Sequence, residues 1–153
     1  MKHYRDESNK IYAYESDGSQ DAFIKEGLVP ISDEDLVLLR APTTEQLLRQ
    51  LTAARKEQER QGVVINGIRY AGDPGNRQAL QEAIAFMDYA GLTEFESWKD
   101  SDNLFHADHP LVDVVDAYQV IGAHRAELIA TEGEYAAQIT GGTFTDLSLV
   151  TWP

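Results

Sequence analysis

Apolar side chains recur along this chain at two periods, and each change of period marks an element. Val63-Val64-Ile65 and Ile68-Arg69-Tyr70 are short extended runs hinged on Asn66-Gly67, a pair suited to the positive φ angles of a two-residue hairpin turn. Asp73 and Pro74 then supply a helix cap and a first helical residue, Leu80, Ala83, Ile84 and Met87 an inner stripe, and Gly91 a stop. A second extended pair, 94–99 and 104–107, turns over Asp100-Ser101-Asp102-Asn103. The stretch reads hairpin, helix, hairpin.

Upstream, residues 1–15 alternate around Tyr4, Ile11, Tyr12 and Tyr14 and predict an aromatic hairpin, which is marginal alone and needs a third surface. Asp17-Gly18 marks a turn, and 20–25 one or two helical turns ended by Gly27. Ser32, with Asp35 three residues on, caps a helix whose apolar face is Leu36, Val37 and Leu39. After Ala41-Pro42, Thr43 or Thr44 caps a longer helix carrying Leu47, Leu51 and Ala54. Beyond Arg55 the apolar face runs out, which predicts a solvated connector; the stripe Leu47, Leu51, Ala54, Gln58 also suits a two-turn coiled coil.

The longest helix starts at His109-Pro110 and runs to about Thr140. Leu111, Val114, Tyr118, Ile121, Leu128, Tyr135 and Ile139 share one stripe, interrupted by Arg125 and Glu132. Gly122 predicts a kink or a close helix contact. Gly141-Gly142 ends the helix, and the apolar tail 143–153 predicts a segment that lies on another surface. The fold class is α+β, in four segments: an N-terminal hairpin and helix over 1–42, a connecting helix over 43–61, an α+β domain over 62–142 and a docking tail over 143–153.

Composition narrows the chemistry. Thirteen basic residues face 26 acidic ones among 153, a formal charge of −13 that disfavours nucleic acid and anionic membrane as partners. The absence of cysteine removes disulfides, thiolate metal sites and thiol nucleophiles. The N-terminal residues lack the apolar core of a signal peptide and no apolar run is long enough to span a bilayer, so the expected location is the cytoplasm.

The one cluster that suggests a site is His106-Ala107-Asp108-His109 with Asp113 and Asp116, which could hold zinc or manganese and activate a water. The spacing argues against it: helical metal-binding pairs sit four apart, and Asp108 more simply caps the following helix. His124 reads as a surface histidine, and Glu94 and Glu96 as a solvated pair. No nucleophile elbow is present, and Gly72-Asp73-Pro74-Gly75 lacks the lysine and hydroxyl residue of a phosphate loop. No cofactor is expected. Trp98, in alternation with Glu94 and Glu96, either closes the small core or anchors a partner. Tyr4, Tyr12, Tyr14, Phe144, Leu149 and Trp152 belong to segments too short to bury them and read as partner-binding.

The stretch 62–139, with its Asn66-Gly67 hairpin, Asp73 helix start, Ser97-Trp98-Lys99 hairpin, Asp102-Asn103, Phe105 and long helix with His124, resembles a bacteriophage tail-fibre family whose domain has no known function. The Tyr-rich opening and the ending Val150-Thr151-Trp152-Pro153 are similar to those of small phage tail proteins. Gly72-Asp73-Pro74-Gly75 stands where the family carries a polar run led by Asp, and the second hairpin turn lacks glycine. The resemblance implies a tail component or tail-fibre assembly factor, and brings no catalytic residues. The expectation is therefore a non-enzymatic protein that binds the tail fibre or baseplate, in the host cytoplasm during assembly or in the virion tail. The alternatives are a small metal-dependent hydrolase centred on His106 and His109, and a homo-oligomeric adaptor of the tail tip.

Overall fold

The computed structural model describes all 153 residues, which form two compact units, Met1–Thr43 and Thr44–Pro153. The architecture is α+β, with four helices and three small antiparallel sheets.

In the first unit β1 (Lys2–Arg5) is central, paired antiparallel with β2 (Ile11–Tyr14) and with β3 (Val29–Ile31). The third strand stands where the sequence predicts only the approach to a helix; it supplies the extra surface that the hairpin needs. Asp6 nucleates the β1–β2 turn by accepting from the Ser8 and Lys10 amides and from the Tyr12 hydroxyl. Those bonds, the Ser8 hydroxyl first, pull its pKa down to about 2. Helix α1 (Asp33–Arg40) follows, capped as predicted by Ser32, whose side chain accepts from the Asp35 amide.

The second unit runs α2 (Thr44–Gln61), β4 (Val63–Ile65), β5 (Ile68–Tyr70), α3 (Pro74–Ala90), β6 (Glu94–Lys99), β7 (Phe105–Pro110) and α4 (Leu111–Thr140). Asn66 and Gly67 hold φ of 49° and 83°, as the tight hairpin requires. Asp73 caps α3 by accepting from the Gly75 and Asn76 amides, and Gly91 ends it in the left-handed region at φ 66°. Helix α4 begins at Leu111 without a side-chain cap; Asp108, the expected cap, lies inside β7, and the Leu111 amide donates to the Thr93 carbonyl instead. Gly122 is exposed with open space around it, so it makes no close helix contact.

Helix α2 is no solvated connector. It packs along α4 as part of the second unit. Leu47 and Leu51 join Ile139 in one apolar cluster, while Tyr70, Leu80, Val114, Ala117 and Ile121 form another. Along α4, Arg125 and Glu132 lie between the two clusters, and α2 answers these polar interruptions with Arg55 and Glu59, both buried. Arg55 pairs with Glu59 and lies 2.5 Å from Glu132, while Arg125 and Arg77 reach Glu59 at 3.2 and 3.4 Å. Charge-free helix patterning cannot foresee this layer, because each polar residue on α2 looks solvated until its partner on α4 is placed opposite.

Candidate functional site

Strand alternation fails at one place in the β6–β7 hairpin, and that failure brings the aromatic and histidine side chains of the hairpin together. Phe95 pairs with His109 and Trp98 with His106, but Glu96 and Asp108 form no pair between them, and Asp108 stands at φ 49°. The ladder twists there, so Phe95 and Trp98, three residues apart, both turn inward, as do His106 and His109. Alternation alone would have placed Trp98 on the wet face of Glu94 and Glu96. Instead it packs on the first apolar cluster, 4.9 Å from the Phe95 ring and 5.6 Å from His109, onto which it stacks.

His109 is buried and its Nε2 lies 2.6 Å from the Tyr70 hydroxyl. Burial holds its pKa below the ordinary imidazole value, His106 adding to the effect and Asp113 opposing it. Burial likewise pushes the Tyr70 hydroxyl up to about 12. His106 is committed to Asp100 at 2.8 Å, and Asp100 also accepts from the Asp102 and Leu104 amides, bonds that hold it below the ordinary carboxylate value. His106 is thus engaged in closing the hairpin turn, and His109 in tying β7 to β5. Asp113 accepts from Asn66, Asp116 is exposed, and no group of three or more His, Asp or Glu side chains converges as metal ligands would.

A cavity of about 120 Å³ beside this cluster is walled by Arg69, Leu80, Trp98, Lys99, Asp100 and Ser101. Arg69 is bound to Asp102 at 2.6 Å and Asp100 is saturated, so no acid and base face each other across it.

The predicted partner-binding residues divide sharply. Tyr4 and Tyr14 pack edge to face on each other at 5.6 Å, and Tyr12 lies under the ammonium groups of Lys10 and Lys25, all three half-buried. Phe144 and Trp152 fold back onto the chain's own second cluster, with Tyr135 against Phe144 at 4.8 Å. The segment predicted as a docking tail therefore docks on its own α2 and α4, and only Leu149 of its three predicted anchors remains exposed, at 64%.

Other side chains stand in solvent unpredicted. Phe86 and Tyr89, neighbours one turn apart on the outer face of α3, are 61% and 93% exposed, and on α1 Val37 and Leu38 are exposed as well. The signal was present. With Leu80, Ile84 and Met87 turned inward, a 3.6-residue period leaves Tyr89 opposite the core.

A family model described as a domain of unknown function (DUF4376) matches residues 42–150, well over half of the chain, which therefore belongs to that family. No curated protein and no solved structure matches it. No helix is long and apolar enough to cross a membrane.

Proposed function

We propose that this chain, as a member of that family, is a non-enzymatic bacteriophage tail protein that binds the tail fibre or baseplate, as a fibre-associated component or as an assembly chaperone acting in the host cytoplasm. The observation that carries the binding reading is the pair Phe86 and Tyr89, two aromatic rings held in solvent by a well-capped helix. Aromatic side chains are costly to leave wet and are enriched among the residues that dominate protein interfaces. The tail assignment is supported by the sequence resemblance over 62–139, the stretch from the first hairpin of the second unit to the end of α4. The metal-hydrolase alternative draws no support from His106 and His109, whose Nε2 atoms are engaged by Asp100 and Tyr70.

The test is copurification of a tagged full-length chain from phage-infected cells, with mass spectrometry of the bound proteins and of purified virions. A tail-fibre or baseplate protein should be captured by the wild type and lost with Phe86→Ser/Tyr89→Ser, which leaves the core untouched. Capture of no tail protein would overturn the reading. Presence in virions marks a structural part, and absence an assembly factor.

A further inference from the structure

The first unit has too little interior for its length. Its 43 residues bury one hydrophobic side chain, Leu36, while Phe23, Val29, Val37 and Leu38 stand exposed, the last two at 68% and 73%. Chains this short seldom supply a sufficient core of their own, and adjacent exposed apolar residues on a helix mark a surface that another polypeptide covers.

The charges on α1 indicate which polypeptide. Its first turn holds Asp33, Glu34 and Asp35 and its last turn Arg40. Asp33 and Arg40 are seven residues apart, two turns, and so share one flank of the face that carries Val37. Arg40 is exposed and makes no ion pair or hydrogen bond, and Asp33 is equally free.

An antiparallel helix pair brings the same flank of both helices together. Two copies of α1 related by a two-fold axis at the helix midpoint therefore set each Arg40 beside the other's Asp33. Val37 and Leu38 meet their counterparts across the axis, and the two helix dipoles lie head to tail. A foreign partner would have to reproduce this acid-to-base gradient, whereas a second copy carries it by construction.

We propose that α1 is a self-association surface, through which two copies of this chain pair antiparallel on Val37 and Leu38 with reciprocal Arg40–Asp33 contacts. The net charge of −13 opposes the approach at long range, but physiological salt screens it beyond about 8 Å, leaving the local pattern to decide. Two short helices make a small interface, so the dimer is a weak one.

Sedimentation velocity on the full chain, from micromolar to near-millimolar concentration, tests this, with far-UV circular dichroism to verify folding. The wild type should pass from monomer to dimer, and Val37→Asp should stay monomeric. Arg40→Glu, a change at an exposed and unpaired residue, should weaken the dimer about tenfold by turning two attractive contacts repulsive. The exchange Asp33→Arg/Arg40→Glu should restore it to within about twofold of wild type, because the reciprocal pairing is rebuilt with reversed signs. A wild type monomeric throughout, or an exchange variant as weak as Arg40→Glu alone, would overturn the proposal.

Discussion

The Tyr70 hydroxyl and Nε2 of His109 lie 2.6 Å apart inside the first apolar cluster, joining the end of β5 to β7 across 39 residues of chain. Neither group has another partner, so removing one strands the other. Tyr70→Phe keeps the ring and should cost about 1–3 kcal/mol, the desolvation penalty of an unpaired imidazole nitrogen. Tyr70→Ala adds a cavity and should cost about 3–5 kcal/mol. Urea unfolding of the two variants separates the terms; a Tyr70→Phe variant as stable as the wild type would mean that the hydrogen bond contributes nothing.

The same imidazole gives stability a pH dependence with a definite sign. The folded-state pKa of His109 lies below its ordinary 6.5, so between the two values the unfolded chain binds more protons. Its contribution is complete above pH 6.5, falls as the pH drops through that value, and levels off below the folded pKa. Asp73 and Asp100, both held below the ordinary 3.8, add a second loss at lower pH, since their contribution is present above 3.8 and disappears as they protonate. The urea midpoint followed from neutral to acid pH should therefore fall in two stages. In His109→Gln the upper stage should vanish; its persistence would assign it to another group.

The buried charges between α2 and α4 predict a different kind of fragility. Glu59 is buried and faces Arg55, Arg77 and the half-exposed Arg125, so Glu59→Ala leaves Arg55 with Glu132 alone and takes the acidic partner from the other two, and should cost about 3 kcal/mol. Arg49 pairs with Glu45 on the exposed side of the same helix, and Arg49→Ala should cost less than about 1 kcal/mol. Thermal unfolding in low and high salt checks both, because only the exposed pair is screened.

That contrast also shows what a sequence can and cannot disclose here. Caps and turns depend on a few adjacent residues, and Ser32, Asp73, Asn66-Gly67 and Gly91 all act where local chemistry places them. The apolar stripe of α4 was legible for the same reason. Arg55 and Glu59 were not, because nothing near them in sequence distinguishes a buried counter-ion from a wet one. The inward turn of Trp98 depends on the lost pair at Glu96 and Asp108, which a strict two-residue period forbids. The tail rings need cover on composition alone, but only the fold reveals that α2 and α4 provide it.

Glycines supply a sharp test of backbone geometry. At Gly62, φ is 70° and an added Cβ would fall 1.8 Å from the Tyr70 carbonyl oxygen, a clash with backbone that cannot move without breaking β5. Gly62→Ala should destabilise by about 3 kcal/mol or more. Gly122, in the middle of α4, has nothing within 4 Å of such a Cβ, so Gly122→Ala should stabilise by up to about 1 kcal/mol through helix propensity. Melting temperatures moving in the same direction for both would contradict the geometry.

The C-terminal tail separates a structural role from a binding one. Trp152 packs with Leu47, Leu51 and Ile139, so Trp152→Ala should cost about 2–4 kcal/mol, and removing 143–153 should destabilise the second unit by at least as much. Leu149 on the same tail is exposed, and Leu149→Ser should change stability by less than about 0.5 kcal/mol. Loss of a partner on deleting the whole tail would therefore report unfolding as readily as lost docking. Leu149→Ser is the discriminating variant: reduced partner capture at unchanged melting temperature would mark the tail as part of the interface, and unchanged capture would confine its role to closing the second cluster.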